Sequence, residues 1–270
     1  MNFLTSLALL ALSLPSLAAT AERKSIELLK NPDGKKITLA KTDVSSLDRL
    51  DSMFGMDPKT PGLQTILKKH TLIHRQKAVP TLIKVMKDGS YPDQNRWHAT
   101  MLLGQVMGKK SAPFIAKFSE HPHWMMRVAS LKALLGLRQS EYHKVYAKAL
   151  KDPSLIVRVQ ALDNISQMKI SPLAPNVWHM LYDQSNYSGD AGNRKRTSIV
   201  KAVIRTLGDI KFEKASKPLA QLIQKPKYVD LVEDLDYSLE KITGKKSPDA
   251  NLAQRRKFWS NLTAQNGSKI

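Results

Sequence analysis

Seven histidines are the residues that could bind a metal ion or act as a general base. His70 and His74 are four residues apart and would share one face of a helix, while His121 and His123 flank Pro122. A zinc site needs three or four converging ligands, and the chain has no cysteine to supply them. No further ligands lie beside either pair, so we expect no metal site and no cofactor.

Nucleophilic catalysis has no recognisable motif in this chain. A catalytic serine on a strained turn typically follows the pattern Gly-x-Ser-x-Gly, which is absent. Gly189 and Gly192 lie in one polar stretch, but no Gly-Lys-Ser/Thr follows to complete a phosphate-binding loop. The sequence therefore predicts a protein that is not an enzyme.

The charge balance is the strongest indication of what the protein binds. Lys and Arg number 43 against 23 Asp and Glu, which gives a formal net charge of +20 and a pI near 10.0. Such an excess favours anionic partners. The hydrophobic share of 42% is enough for a folded core, and the lack of cysteine excludes stabilising disulfides.

The first 21 residues are typical of a signal peptide. They contain no Lys, Arg, Asp or Glu, and Leu7–Leu14 is an apolar run that Pro15 ends. Small residues then recur at a spacing that predicts cleavage near residues 18–21. A buried N-terminal helix is the alternative. No other stretch has 18 consecutive apolar residues, so no membrane anchor is expected. Export without cysteines favours a periplasmic or secreted bacterial protein.

Four arginines mark an internal repeat. Arg96, Arg127, Arg158 and Arg196 are separated by 31, 31 and 38 residues. Small or apolar residues follow each arginine at +3, +4, +6 and +7, which is one face of a helix and its flank. We place the seven-residue excess of the last interval in a surface loop at residues 183–192.

A second helix follows each of these. It tends to open with a proline, which the first turn of a helix accepts because its N–H groups lack helical partners. These prolines are Pro80, Pro113, Pro175 and Pro218. The unit at residues 141–150 has a helical pattern without a proline.

Two-helix units of about 31 residues, with Val157 and Arg158 early in the first helix and residues 78–83 (AVPTLI) opening the second, resemble HEAT repeats. They are most similar to the short class named after phycobilisome lyase subunits. The resemblance covers residues 62–246 and implies an all-α, right-handed α-solenoid of about six repeats. An irregular helical bundle is the alternative. The bilin chemistry of that class does not suit an exported basic chain, and fold alone does not fix function.

Both ends differ from the repeats. Residues 22–61 form an N-terminal cap segment, in which a turn at residues 31–34 between two apolar runs favours a β-hairpin, and residues 44–60 contain a short helical pattern. Residues 247–270 form the C-terminal cap and tail. There we expect a helix over residues 250–262, with Phe258, Trp259 and Leu262 covering the last repeat.

Basic residues recur on the second helices at seven-residue steps, which return to nearly the same helix face. In HEAT-like proteins these helices line the concave side, so the resemblance implies a basic inner surface. The alternative is that the lysines only solvate exposed helices. The candidate binding residues are Lys77, Lys84, Lys110, Lys117, Lys144, Lys151, Arg194, Lys195, Arg196, Lys214 and Lys217.

Residues 228–240 instead contain five acids and no base. Either they neutralise the neighbouring basic helix, or they offer an acidic surface for head-to-tail assembly of the chain with itself.

These features predict an exported scaffold that binds an acidic protein or an anionic envelope polymer through a basic concave surface. The alternative is nucleic-acid binding. HEAT-like DNA glycosylases are basic and of similar size, and such a site could draw on Trp97, Trp124 and Trp178 with Asp163 or Asp183. The active-site motif of that family does not match residue by residue.

Overall fold

The computed structural model describes residues 46–187, 197–248 and 251–267. Every regular element in these ranges is a helix and none is a strand, which confirms the all-α prediction. No helix in the same ranges is both long and apolar enough to span a bilayer. The signal peptide, the hairpin, and Arg194, Lys195 and Arg196 lie outside the described residues.

The chain divides into two compact units, residues 1–107 and 108–270. The first unit contains α1 (Ser46–Phe54), α2 (Leu63–His74), α3 (Val79–Lys87) and α4 (Asp93–Met107). Helix α1 confirms the short helical pattern before the repeats. Helix α3 packs on α4 and on α1, and α2 packs on α1 and α4. The interior contains the fully buried Leu50, Leu67 and Leu82.

The second unit alternates long and short helices. The long ones are α6 (Trp124–Gly136), α8 (Leu155–Met168), α10 (Thr197–Asp209) and α12 (Val232–Thr243). The short ones are α5 (Ala112–Lys117), α7 (His143–Ala149), α9 (Ala174–His179) and α11 (Ser216–Leu222), and α13 (Leu252–Gly267) closes the chain. Each short helix packs on the long helix that follows it, and the long helices pack in succession, α6 on α8, α8 on α10 and α10 on α12.

Proline positions agree with the predicted starts of the short helices. Pro80, Pro113 and Pro175 occupy the first or second position of α3, α5 and α9. Pro218 is the third residue of α11. Helix α7 lacks a proline, as expected for that unit. The prolines therefore mark where the second helices begin.

Side chains on the long helices donate to backbone carbonyls of their neighbours. The Asn164 amide donates to the Leu131 carbonyl at 2.8 Å, and the Ser238 hydroxyl donates to the Ile204 carbonyl at 2.7 Å. All four residues are buried, so each bond satisfies polar groups that water does not reach. These bonds fix α8 against α6 and α12 against α10.

The marker arginines join helices to the turns beside them. Arg96 donates to the Met86 carbonyl at 3.0 Å, and Arg127 forms a two-pronged ion pair with Asp152 at 2.7 Å for each prong. Arg158 donates to the Asn186 side chain at 2.7 Å. The repeated arginine is thus a structural residue in these three repeats.

Asn186 anchors the predicted surface loop at residues 183–192, of which the structure describes residues 183–187. Its side chain is fully buried, accepts the bond from Arg158 and donates to the Met180 carbonyl at 2.9 Å. The loop is anchored there because the Arg158 guanidinium needs an acceptor inside the protein. The neighbouring Gln184 and Ser185 are exposed.

The three long helices α6, α8 and α10 end in the same way. Arg138, Lys169 and Lys211 have positive φ angles of 54°, 54° and 52°. The next residue in each case donates its N–H to the carbonyl five positions back, at 3.0 Å, which is the Schellman closure. The donors and acceptors are Gln139 to Leu134, Ile170 to Ile165 and Phe212 to Leu207.

The separation of these helix ends along the chain gives the length of each repeat in the structure. Arg138, Lys169 and Lys211 are 31 and 42 residues apart. The first interval confirms the predicted period. The second shows that the predicted 38-residue interval was one helical turn too short, because Arg196 is not the counterpart of Arg158. With the 42-residue interval, Val200 takes the place of Arg158.

The C-terminal helix α13 covers the last unit as predicted. Trp259 is fully buried and donates its indole N–H to the Asp236 carboxylate at 2.5 Å. Phe258 is half-buried and meets the Trp259 ring edge to face, with centroids 4.8 Å apart. The side chain of Leu262 lies outside the described residues.

Candidate functional site: exposed cations and fixed carboxylates

The second-helix lysines are all exposed where the structure describes them. We call this set the second-helix lysines: Lys77, Lys84, Lys110, Lys117, Lys144, Lys151, Lys214 and Lys217. Lys84 belongs to α3, Lys117 ends α5, Lys144 lies in α7 and Lys217 lies in α11. The other four lie in the turns before or after these helices. Their charges therefore face solvent.

Lys84 differs from the rest because it has partners. Its ammonium lies 2.8 Å from Asp51 of α1 and 5.8 Å from the centre of the Tyr91 ring. Hydrogen bonds to Asp51 and Tyr91 hold the pKa of Lys84 above its usual value. The Tyr91 hydroxyl donates to the same Asp51 carboxylate at 2.7 Å. This lysine therefore helps to fix α1 in the first unit as well as adding charge.

Lys77 lies beside a shallow groove in the first unit. The groove has a volume of about 740 Å³ and is lined by Leu72, His74, Arg75, Gln76, Lys77, Gln105 and Val106. Arg75 has φ 50° and ψ −124°, an unusual backbone conformation for an arginine. The groove combines two aliphatic side chains with three basic ones, and the neighbouring Ile73 is 64% exposed.

In the second unit, neighbouring short helices are close to one another. Lys148 of α7 lies 2.8 Å from Glu120, which follows α5. The rings of Trp178 on α9 and Phe212, just before α11, have centroids 6.3 Å apart. These contacts join α7 to the turn after α5, and α9 to the residue that precedes the turn before α11.

Several carboxylates of the second unit are held between helices. Asp152, whose side chain is 9% exposed, accepts both hydrogen bonds of the bidentate ion pair with Arg127. Asp234 lies 3.1 Å from Arg205 and 3.8 Å from Lys201 of α10. Asp236 accepts bonds from Ser247 and from the indole of Trp259. These acids hold neighbouring helices together and contribute little exposed negative charge.

The acidic segment at residues 228–240 is explained largely by these contacts. Asp234 faces the basic residues of α10, while Glu233 and Asp236 lie 2.8 Å and 3.6 Å from Arg255 of α13. Glu240 accepts from the Ser247 backbone at 2.9 Å. Neutralisation between adjacent helices is therefore confirmed for Asp234, and α13 neutralises part of the remainder.

A second group of cations lies on the exposed side of α10 and α12. The sequence indicates Lys201 and Arg205 of this group only as further basic residues beside the candidate binding residues. The Arg205 guanidinium lies over the Tyr237 ring, 4.1 Å from its centre, and the Lys241 ammonium is 5.5 Å from the same centre. The Tyr237 hydroxyl donates to Asp209 at 2.7 Å. The i, i+4 spacing of Tyr237 and Lys241 is visible in the sequence, but their proximity to Arg205 depends on helix packing.

Asp209 contacts three other residues and holds Tyr237 in this group. It accepts from the Ser166 hydroxyl at 2.6 Å and from Tyr237, and the Lys169 ammonium is 3.5 Å away. Burial acts to raise the pKa of Asp209, but the hydrogen bonds from Ser166 and Tyr237 and the charge of Lys169 outweigh it and hold the pKa below its usual value. Asp209 is therefore ionised at neutral pH and keeps the Tyr237 hydroxyl as a donor.

The histidine pairs do not assemble a metal centre within the described residues. His70 is buried, and the His121 ring accepts from the His123 backbone at 3.0 Å. No three His, Asp or Glu side chains group together in residues 46–187, 197–248 and 251–267 in a way that would hold a metal ion.

Three of the five residues named for a glycosylase site, Asp163, Asp183 and Trp178, have structural partners in the second unit. Asp163 accepts from the side chains of Gln160 and Gln167, and Asp183 accepts from the Ser185 backbone. Hydrogen bonds from Ser185 hold the pKa of Asp183 below its usual value. Trp178 meets Tyr182 edge to face at 5.8 Å, and Trp124 is 36% exposed. Trp97, in the first unit, is half-buried.

No family model matches the chain.

Proposed function

We propose that this protein is a HEAT-like α-solenoid that serves as a non-enzymatic binding scaffold. It would bind an acidic protein or an anionic polymer through the second-helix lysines. The successive packing of the long helices and the three identical helix ends support a repeated architecture. The N-terminal sequence adds export, with a periplasmic or secreted location, to this proposal.

The proposal rests on a difference in environment between carboxylates and lysines. Asp152, Asp234 and Asp236 are fixed between helices, whereas the second-helix lysines are exposed. An acid held against an arginine or an indole contributes little to the field in solvent. These three acids therefore do not neutralise the second-helix lysines, whose charges face solvent.

The strength of such a surface comes from many charges acting together. A single exposed ion pair contributes only about 0–1 kcal/mol. Lysines that share one surface add their fields, and such a surface would raise the encounter rate with an anionic partner by tenfold or more. Because exposed charges are screened by salt, the binding should be strongly salt-dependent.

The groove of the first unit supports the acidic-protein form of this proposal. Its aliphatic Leu72 and Val106 suit an apolar side chain, and its basic His74, Arg75 and Lys77 suit neighbouring carboxylates. A peptide that alternates acidic and apolar residues would satisfy both kinds of lining group. A uniformly charged polymer would leave Leu72 and Val106 without an apolar partner.

The test is a binding titration of the chain with polyglutamate at two salt concentrations. We expect saturable binding in about 50 mM NaCl that weakens at least tenfold in about 500 mM NaCl. Polylysine of equal length is the matched control and should not bind at either concentration. Binding that is insensitive to salt would contradict the electrostatic mechanism. Tighter binding to a DNA oligonucleotide of equal charge would favour the nucleic-acid alternative.

A further inference from the structure

We infer that the exposed side of α10 and α12 carries a separate binding site for phosphate groups, centred on the Tyr237 ring. We call it the Tyr237 cluster and define it as Lys169, Lys201, Arg205, Asp209, Asp234, Tyr237 and Lys241. It uses none of the second-helix lysines, and it stands whether or not those lysines bind an acidic partner.

The cluster has more positive than negative charge, and the two signs differ in exposure. The side chains of Lys169, Lys201 and Arg205 are 60%, 42% and 47% exposed, and Lys241 is also exposed. The two acids, Asp209 and Asp234, are 16% and 10% exposed. Four exposed cations therefore lie around two largely buried carboxylates, and the excess positive charge faces solvent.

Arg205 is held in place before any ligand binds. Its guanidinium lies over the Tyr237 ring, and one guanidinium nitrogen donates to Asp234 at 3.1 Å. Tyr237 is itself fixed through its hydroxyl on Asp209, which Ser166 holds from α8. A guanidinium fixed in this way loses little conformational freedom on binding.

The chemistry of the cluster suits a chain of linked phosphates. A guanidinium presents parallel N–H donors that match two oxygens of a phosphate, while the flanking ammonium groups of Lys201 and Lys241 supply point charges. A phosphate chain offers oxygens on successive tetrahedral centres, so it suits a site that presents several cations.

The experiment is calorimetric titration of the chain with inorganic tripolyphosphate at low salt. We expect saturable binding, and we expect Arg205→Lys to weaken it roughly tenfold because the charge remains while the two-pronged geometry is lost. Citrate, a carboxylate ligand with fewer negative charges at neutral pH, should bind more weakly, because its attraction to the cluster is smaller. Melting curves of both proteins show whether Arg205→Lys leaves the fold intact.

The matched control replaces two second-helix lysines, Lys144→Gln with Lys217→Gln, and should leave tripolyphosphate binding unchanged. Replacing Lys201 and Lys241 by Gln should weaken it at least as much as Arg205→Lys does. The inference would be overturned if Arg205→Lys bound tripolyphosphate as tightly as the original chain, if citrate bound equally well, or if the control pair lost as much affinity.

Discussion

Gly208 of α10 lies directly against the backbone of Ser238 of α12. A β-carbon on residue 208 would come within 2.7 Å of the Ser238 Cα and 2.9 Å of its hydroxyl oxygen. The Ser238 hydroxyl donates to the Ile204 carbonyl, one helical turn before Gly208. The close approach of the two helices therefore depends on the absence of a side chain at residue 208.

Gly208→Ala should destabilise the second unit by about 1–3 kcal/mol, because backbone atoms must move to admit the methyl group. Chemical unfolding followed by far-UV circular dichroism measures the change. Gly136→Ala is the matched control, since a β-carbon there meets nothing within 4 Å. It should be neutral or stabilising by up to about 1 kcal/mol. An unchanged unfolding midpoint for Gly208→Ala would contradict the helix spacing described here.

Arg138→Gly should stabilise the protein although it removes a charge and a large side chain. Arg138 has a φ of 54°, a conformation that glycine adopts without the steric penalty of a β-carbon. We expect a gain of about 0.5–1 kcal/mol in urea unfolding. Lys132→Gly, at an exposed position inside α6, is the control and should lose about 1 kcal/mol. Equal losses for both variants would contradict the left-handed helix end.

Asp209 should make stability depend on pH in the acidic range. Its folded-state pKa lies below the usual 3.8, so the unfolded chain binds the proton more tightly. The stabilisation is complete above the unfolded pKa and is lost as the pH falls through the lower folded pKa. Asp209→Asn should therefore be less stable than the original chain at about pH 6 by on the order of 1 kcal/mol. This difference should shrink towards about pH 3. A difference that is constant from about pH 6 to about pH 3 would exclude this role.

The sequence predicts those features of the fold that repeat in residue type. Pro80, Pro113 and Pro175 identify the starts of the second helices because proline is favoured where helical N–H groups have no partner. The 31-residue period follows from the small and apolar positions. The cap formed by Trp259 follows from a large apolar residue after the last unit.

The sequence does not predict features that depend on long-range packing. Arg158 marks the repeat, but only the structure shows that its partner is the buried Asn186, 28 positions away. The end of α10 carries Lys211 in a left-handed conformation, without the glycine that usually indicates such a position. The interval to the fourth repeat was underestimated by one helical turn because Arg196 resembles the marker arginines in sequence but is not the counterpart of Arg158.

The candidate binding surfaces also include one that the sequence predicts and one that depends on long-range packing. The exposure of the second-helix lysines follows from their charge and helical spacing. The Tyr237 cluster could not be predicted because it combines residues of α8, α10 and α12 through Asp209 and Asp234. Nor could the sequence indicate which acids would be held between helices.

A comparison of two charge-matched variants tests the central claim most directly. In one variant, six second-helix lysines of the second unit become Gln: Lys110, Lys117, Lys144, Lys151, Lys214 and Lys217. In the other, six further exposed lysines become Gln: Lys132, Lys225, Lys227, Lys245, Lys246 and Lys257. Both have the same net charge, and polyglutamate binding is measured for each at low salt. We predict a loss of at least tenfold for the first variant and roughly threefold or less for the second. Equal losses would show that overall charge, and not the second-helix lysines, determines binding.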